Sequence, residues 1–298
     1  MADILHNVTQ FITSLFTAAS LHTAPVSAPA NLPVPHAVPG GIAVVGIGNS
    51  PVAPEVTFNG RRVMVVSSGE DHGWQALVGI PLSQPVGDAA VSAAGKHYHF
   101  TVRDKAYPEQ HLTVQKNHVN PSTGELSRIR REMKTMLAVY NSFTTDGSWQ
   151  PMQWPVKGPL SSAFGLKRFF NGEQRNPHSG LDIAAPKGAD VIAPAGGRVV
   201  LTGNFFFNGN SVFIDHGQGL ISMFCHLDSI RVQEGQQVQS GDLLGQVGAT
   251  GRATGPHLHW TVSLNNARIN PMLTLAPPSS FAAGFTARTA AAGEFHGQ

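Results

Sequence analysis

A chain of 298 residues with 41% apolar residues can bury two cores of ordinary domain size, with ends left over. Charged residues make up only 13%, while glycine and proline number 32 and 21, a balance that favours short strands and turns over long helices. The formal charge of +2 comes without a dense Lys/Arg block, which argues against a dedicated nucleic-acid binder. The single cysteine, Cys225, excludes an intrachain disulfide and a cysteine-rich metal cluster, so any metal must be held by His and carboxylate.

Residues 1–41 read as a leader or signal followed by a proline-rich linker. Phe11–Ala19 forms a short apolar patch, and Ser27–Ala30 supplies small residues of the kind found at cleavage sites. Met1–Gln10 carries no Lys or Arg, however, so the export signal is ambiguous. Pro25, Pro29, Pro33, Pro35 and Pro39 keep the linker extended. No run of about 18 apolar residues occurs, and no membrane-spanning segment is expected.

Residues 42–124 read as a small β-sandwich-like module. Ile42–Ile47 is an apolar run, and Val56–Phe58 with Val63–Val66 predicts a hairpin around Asn59-Gly60. Trp74–Ile80 and His97–Val102 continue the strand pattern. From Glu125 the period changes. Leu126, Ile129, Met133, Leu137 and Tyr140 recur at helical intervals, with Arg128, Arg130, Arg131 and Lys134 on other faces. This predicts an amphipathic helix over 125–145 that packs on the β module and leads, through a linker at 146–155, to a second β unit. That unit, 156–276, alternates glycine turns with short strands such as Ser211–Ile214 and Leu258–Leu264. Residues 277–298 read as a flexible tail. The fold class is mainly β, with two modules joined by a helix.

Chemistry concentrates in three segments. In Gly255–Trp260, His257 and His259 lie at i and i+2 of a strand and project from one face, while Leu258 turns to the core. His97 and His99 repeat that spacing without evident partners and read as structural or surface residues. In Pro177–Pro186, Leu181 and Ile183 point inward, Asp182 faces the other side, and His178 reaches the same cleft from the preceding loop. A carboxylate with two neutral imidazoles suits zinc and leaves a fourth tetrahedral position for water. In Ile221–Asp228, His226 lies near a strand end and faces the cleft, while Cys225 alternates to the other side as a small core residue. Neighbours that point apart make a poor Cys-His nucleophile pair. His216 reads as a turn organiser. Val232–Leu244 has the strand-turn pattern of biotinyl and lipoyl carriers, but no Lys after Gly188 is available for modification. Gly248–Gly255 lacks the Gly-Lys-Ser/Thr ending of a phosphate loop.

With Ser161–Gly165, Gly245–Gly248 and Asn270-Pro271, these motifs resemble the M23 metallopeptidases, the lysostaphin-type or LytM-type cell-wall endopeptidases, over residues 161–272. Trp74–Pro81 and Lys105–Gln110 resemble the N-terminal β domain of bacterial members. The resemblance implies a β-sheet groove related to barrel-sandwich domains, and one Zn2+ held by His178, Asp182 and His259. It assigns His226 and His257 as the two non-ligand active-site residues. His257 is then the expected base, and His226 the oxyanion stabiliser or proton donor. The implied substrate is a peptidoglycan peptide, cut in cross-links or stem peptides, at a periplasmic or secreted location. Relatives can be latent, so the N-terminal region, through its β module or the helix, is expected to restrain access. The rival reading is a non-catalytic M23-like wall-binding or activator protein; the presence of all five cleft residues favours the enzyme.

Overall fold

The computed structural model describes residues 32–69, 73–112 and 122–276, and these are mostly β with one α-helix. The apolar patch at Phe11–Ala19 and the tail from residue 277 lie outside the described residues. The first module contains β1 (Ile42–Asn49), β2 (Val56–Phe58), β3 (Arg61–Arg62), β4 (Met64–Ser67), β5 (Gly73–Gly79), β6 (Gly87–Ala93), β7 (Lys96–Val102) and β8 (Glu109–Leu112). Two sheets, ordered β1-β5-β4 and β3-β2-β6-β7, pack across a core that includes Val45, Phe58, Val78 and Val102. Asn59 and Gly60 take φ of +49° and +73°, as the tight hairpin turn requires. The return strand is shorter than the sequence suggests. It stops at Arg62, and the chain crosses at Val63 so that β4 pairs with β5 in the opposite sheet.

That crossing matters because the β1-β5-β4 sheet is buried on both sides. Ala43, Val45, Val65, Ala76 and Val78 face the first module's core, whereas Ile42, Met64, Val66 and Leu77 enter the core of the second. Burial on two faces explains why these strands read as unbroken apolar runs and not as alternating patterns. Each such side chain contributes about 2 kcal/mol on burial, so the modules pack as one unit. At the seam, Asn265 Oδ1 accepts the Gly79 N–H at 2.7 Å and its Nδ2 donates to Gly79 O at 3.0 Å.

The helix, α1, spans Thr123–Tyr140, starting two residues before and ending five before the expected bounds. Ser122 and Glu125 form a capping box, each side chain bonding the other's backbone N–H. Two apolar stripes with the same spacing run along α1, offset by three residues. The stripe through Ile129, Met136 and Tyr140 is the one that packs, Met136 and Tyr140 lying on Phe205, Phe213 and Met223 of the second module. Leu126, Met133 and Leu137 remain exposed. The helix therefore joins the modules but docks on the second, contrary to the packing expected from its sequence.

The second module comprises β9 (Leu160–Ser162), β10 (Lys167–Phe170), β11 (Glu173–Gln174), β12 (Leu181–Ala184), β13 (Asp190–Ile192), β14 (Gly197–Phe205), β15 (Gly209–Asp215), β16 (Leu220–Ile230), β17 (Gln237–Val238), β18 (Leu243–Val247), β19 (His257–Leu264) and β20 (Ala267–Ile269). Its main sheet runs β17-β14-β15-β16-β19-β12-β9. The strand β8 leaves the first module and pairs in parallel with β10, Gln110 lying opposite Arg168. Just before it, Tyr107 donates to Pro39 O at 2.6 Å and lies against Gly165, where a Cβ would come within 2.1 Å of the ring. Gly165, at φ +82°, is the residue that admits it. Among the described residues no helix is long and apolar enough to cross a membrane.

Candidate metal centre

Strand register assembles the site. In the antiparallel pair β12·β19, Asp182 lies opposite His259 and Ala184 opposite His257. Strand β16 places Cys225 opposite His259, and β9 places Ser162 opposite Asp182. Directly paired residues share a face, so Cys225, His259, Asp182 and Ser162 form one row on the cleft side. Leu181, Ile183, Leu258 and Trp260 fill the core beneath.

His178 comes from the loop before β12. Its Nδ1 donates to Ala163 O at 2.8 Å, which leaves Nε2 of the neutral ring as a lone pair. That atom lies 3.1 Å from Asp182 Oδ1 and 3.1 Å from His259 Nδ1, and the latter two are 2.7 Å apart. Thr261 Oγ1 meets the far nitrogen of His259 at 3.0 Å. The loop can cross β19 this closely only because residue 180 is glycine: a Cβ there would sit 2.6 Å from Trp260 O and 2.8 Å from His259 Nε2. Three acceptor-type atoms so close repel unless a proton or cation lies among them. Two imidazole nitrogens and a carboxylate oxygen are a donor set for a divalent transition-metal ion, so His178, Asp182 and His259 could hold one.

His226 arrives by a route the sequence does not announce. It lies inside β16, not at its end, with φ +62° and a register slip against β15. Regular alternation would send it into the core beside Phe224. The bulge turns it onto the cleft face, its ring centroid 4.7 Å from that of His257. Cys225 accordingly shares the cleft side with His259 and does not face away as expected. It is fully buried under Asn208, whose Nδ2 is 3.2 Å from the sulfur. Burial pushes the thiol up to about 12, which rules it out as a nucleophile near neutrality. His226 Nδ1 donates to Thr250 O at 2.8 Å and His257 Nδ1 to Gly255 O at 2.9 Å, so both neutral rings present Nε2 to the cleft as acceptors. His97 and His99 lie on the surface strand β7. His216 is buried at a turn, its Nδ1 donating to Gly196 O at 2.7 Å.

Burial favours a neutral Asp182, but its contacts with His178 and His259 prevail, because a proton or cation shared among these atoms favours the carboxylate and holds it well below the usual range. Burial pushes His259 down, against the pull of Asp182. Burial also pushes His226 down to about 4, with His259 and His257 adding to the effect, so this ring is neutral at pH 7. The surrounding cleft, about 680 Å³, is further lined by Arg168, Phe207, Asn208 and Arg252, and by Gln110 from β8. None of these five carries a signal in the sequence that marks it for the site.

A family model for peptidase family M23 matches residues 176–271, which contain all five residues singled out above, and one for the M23 N-terminal domain matches residues 35–105. A solved structure described as a peptidase M23, from Pseudomonas aeruginosa, is 44% identical and superposes with a TM-score of 0.67, covering 80% of this chain and 95% of its own. The chain belongs to peptidase family M23. The curated M23 relatives include the peptidoglycan DD-endopeptidase ShyA of Vibrio cholerae, 38% identical over 131 residues, and the DD-carboxypeptidase/endopeptidase Mpg of Neisseria meningitidis, 37% identical over 132 residues. These alignments cover 43% and 42% of this chain and 30% of each relative, so the chain spans under a third of their length.

The buried imidazoles of the M23 cleft give stability a predictable pH dependence. Unfolded His takes a proton below about 6.5, whereas folded His226 resists down to about 4. Its contribution is intact above about 6.5 and is lost progressively as pH falls toward 4; buried His216 and His259 act in the same sense. Urea midpoints of the metal-free chain should therefore fall between about pH 6.5 and 4, and His226→Gln should flatten the slope. An unchanged slope in that variant would contradict the assignment.

Proposed function

We propose that this chain is a zinc-dependent endopeptidase that hydrolyses peptide bonds in bacterial peptidoglycan. Its metal ligands are then His178, Asp182 and His259, its proton-handling residues His257 and His226, and its place of action the periplasm or the cell exterior. The observation that carries this reading is the set of acceptor atoms 2.7–3.1 Å apart beside two imidazoles whose Nε2 atoms face the same cleft. The peptidoglycan DD-endopeptidase and DD-carboxypeptidase/endopeptidase activities of the Vibrio and Neisseria relatives support the substrate class and favour a D,D bond. A wall-binding or activator protein without catalysis would have no need of both cleft imidazoles.

Bound zinc acidifies water and polarises a carbonyl. The chain's own groups do the rest. His178 is locked in the ligating tautomer by Ala163 O, and Asp182 stays ionised against its burial. His257, the base, has its Nδ1–H committed to Gly255 O and offers Nε2, 3.9 Å from Asp182 Oδ1, to accept a proton from water and return it to the departing amine. His226 is too buried to carry a second proton readily and its one N–H is committed to Thr250 O, which disfavours both roles expected for it, oxyanion stabiliser and proton donor. It instead accepts a hydrogen bond at Nε2 and orients the attacking water. Digestion of purified peptidoglycan followed by muropeptide mass analysis tests the proposal. The native chain should release cross-link fragments. His178→Ala should lose both metal and activity, and His257→Ala should keep the metal while activity falls on the order of 10²–10⁴-fold. Metal-replete native chain that releases nothing would refute it.

The second part of the proposal is restraint by the N-terminal region. Gln110 of β8 lines the cleft, and Tyr107 pins this segment to Gly165. Helix α1 reaches the opposite rim: Glu132 accepts the Phe206 N–H at 2.7 Å, next to the cleft residue Phe207. Excising the first module would also remove Ile42, Met64 and Leu77 from the shared core, so a point change is the cleaner probe. Tyr107→Ala should raise the hydrolysis rate several-fold with an unchanged circular dichroism spectrum; an unchanged rate would refute the restraint.

A further inference from the structure

Arg168 is a cation beside the proposed metal site with no part in holding the metal or handling protons. It projects from β10 into the cleft shared by His178, Asp182 and His259. One η nitrogen donates to Ser162 Oγ at 3.0 Å and stands 3.7 Å from Asp182 Oδ2, beyond hydrogen-bond reach. Asp182 is meanwhile engaged by two imidazoles. The Arg168 Nε is buried and has no hydrogen-bond partner among the described residues. A guanidinium has five N–H donors in a planar fork, so most of this one's capacity is unspent. A partly buried Arg with donors to spare is built to take a planar anion, and carboxylate is the one whose geometry matches the fork.

Given the proposed function, on which this inference rests, the substrate supplies such an anion at the right place. In a D-alanyl–diaminopimelate cross-link, the residue donating the scissile amide nitrogen carries a free α-carboxylate. A terminal D-alanyl-D-alanine bond has the same feature, and the interior of a glycine bridge lacks it. Three covalent bonds separate the scissile carbonyl carbon from that carboxylate carbon, a span of at most about 4 Å. A carbonyl placed at the His178–Asp182–His259 group therefore sets the carboxylate within reach of a guanidinium bordering Asp182. We propose that Arg168 binds the α-carboxylate on the amine side of the scissile bond and so selects bonds next to a free acid over bonds within a bridge.

The test uses the zinc-loaded full chain and two cross-linked muropeptides that differ only in whether this carboxylate is free or amidated. The native chain should prefer the free acid on the order of 30-fold in kcat/KM, the loss typical when a charge pair in a cleft is broken. Arg168→Gln should abolish that preference, with one zinc per chain retained and the loss falling on the KM of the free-acid substrate far more than on the amidated one. Arg168→Lys should be intermediate, because it keeps the charge without the fork. Equal handling of the two substrates by the native chain would overturn the inference and leave the hydrolase intact. Loss of zinc in Arg168→Gln, or an equal slowing on both substrates, would also overturn it, making Arg168 a support for Asp182. Cleavage of neither substrate by the native chain would overturn both readings.

Discussion

Two imidazole nitrogens and a carboxylate oxygen stand 2.7–3.1 Å apart, and three acceptors this close repel one another unless a proton or a cation lies among them. Much of the second module serves to enforce this crowding. The β12·β19 register sets Asp182 against His259, and four core side chains on the reverse face fix that register. The loop carrying His178 closes over the strand because Gly180 has no side chain, and Ala163 O turns the ring so that Nε2 points inward. A divalent ion bound there would offset the electrostatic cost of the arrangement.

The first module is more than an appendage to this site. Its central sheet has a second apolar face, and that face completes the second module's core with Ile42, Met64, Val66 and Leu77. The same connection delivers the segment from Tyr107 to Gln110 along β10, the strand that carries Arg168. Position of the module and placement of Arg168 are thus coupled through one parallel strand pair. A change at the seam would be felt at the candidate metal site without touching His178, Asp182 or His259.

Period-two alternation was enough to read His257, His259 and Asp182 onto one face, and Asn59-Gly60 was enough to place a turn. Alternation failed one strand away. The φ of +62° at His226 inserts an extra residue into β16, and nothing in Phe224–Leu227 distinguishes a bulge from a regular strand. The chain crossing at Val63 was hidden for a related reason: strands buried on both faces lose the alternation that marks register. On α1, two apolar stripes of equal spacing competed, and only the presence of Phe213 and Met223 opposite one of them decides which is buried. Arg168 and Gln110 could not have been assigned to the cleft at all, because a parallel pairing between distant segments brings them there.

X-ray absorption at the zinc edge of the metal-loaded chain probes the crowding of acceptors most directly. The account predicts a single zinc with two imidazoles and one carboxylate in its inner shell, the remaining position being taken by water. A chain that takes up no zinc, or whose zinc keeps that shell after Asp182→Ala, would contradict it.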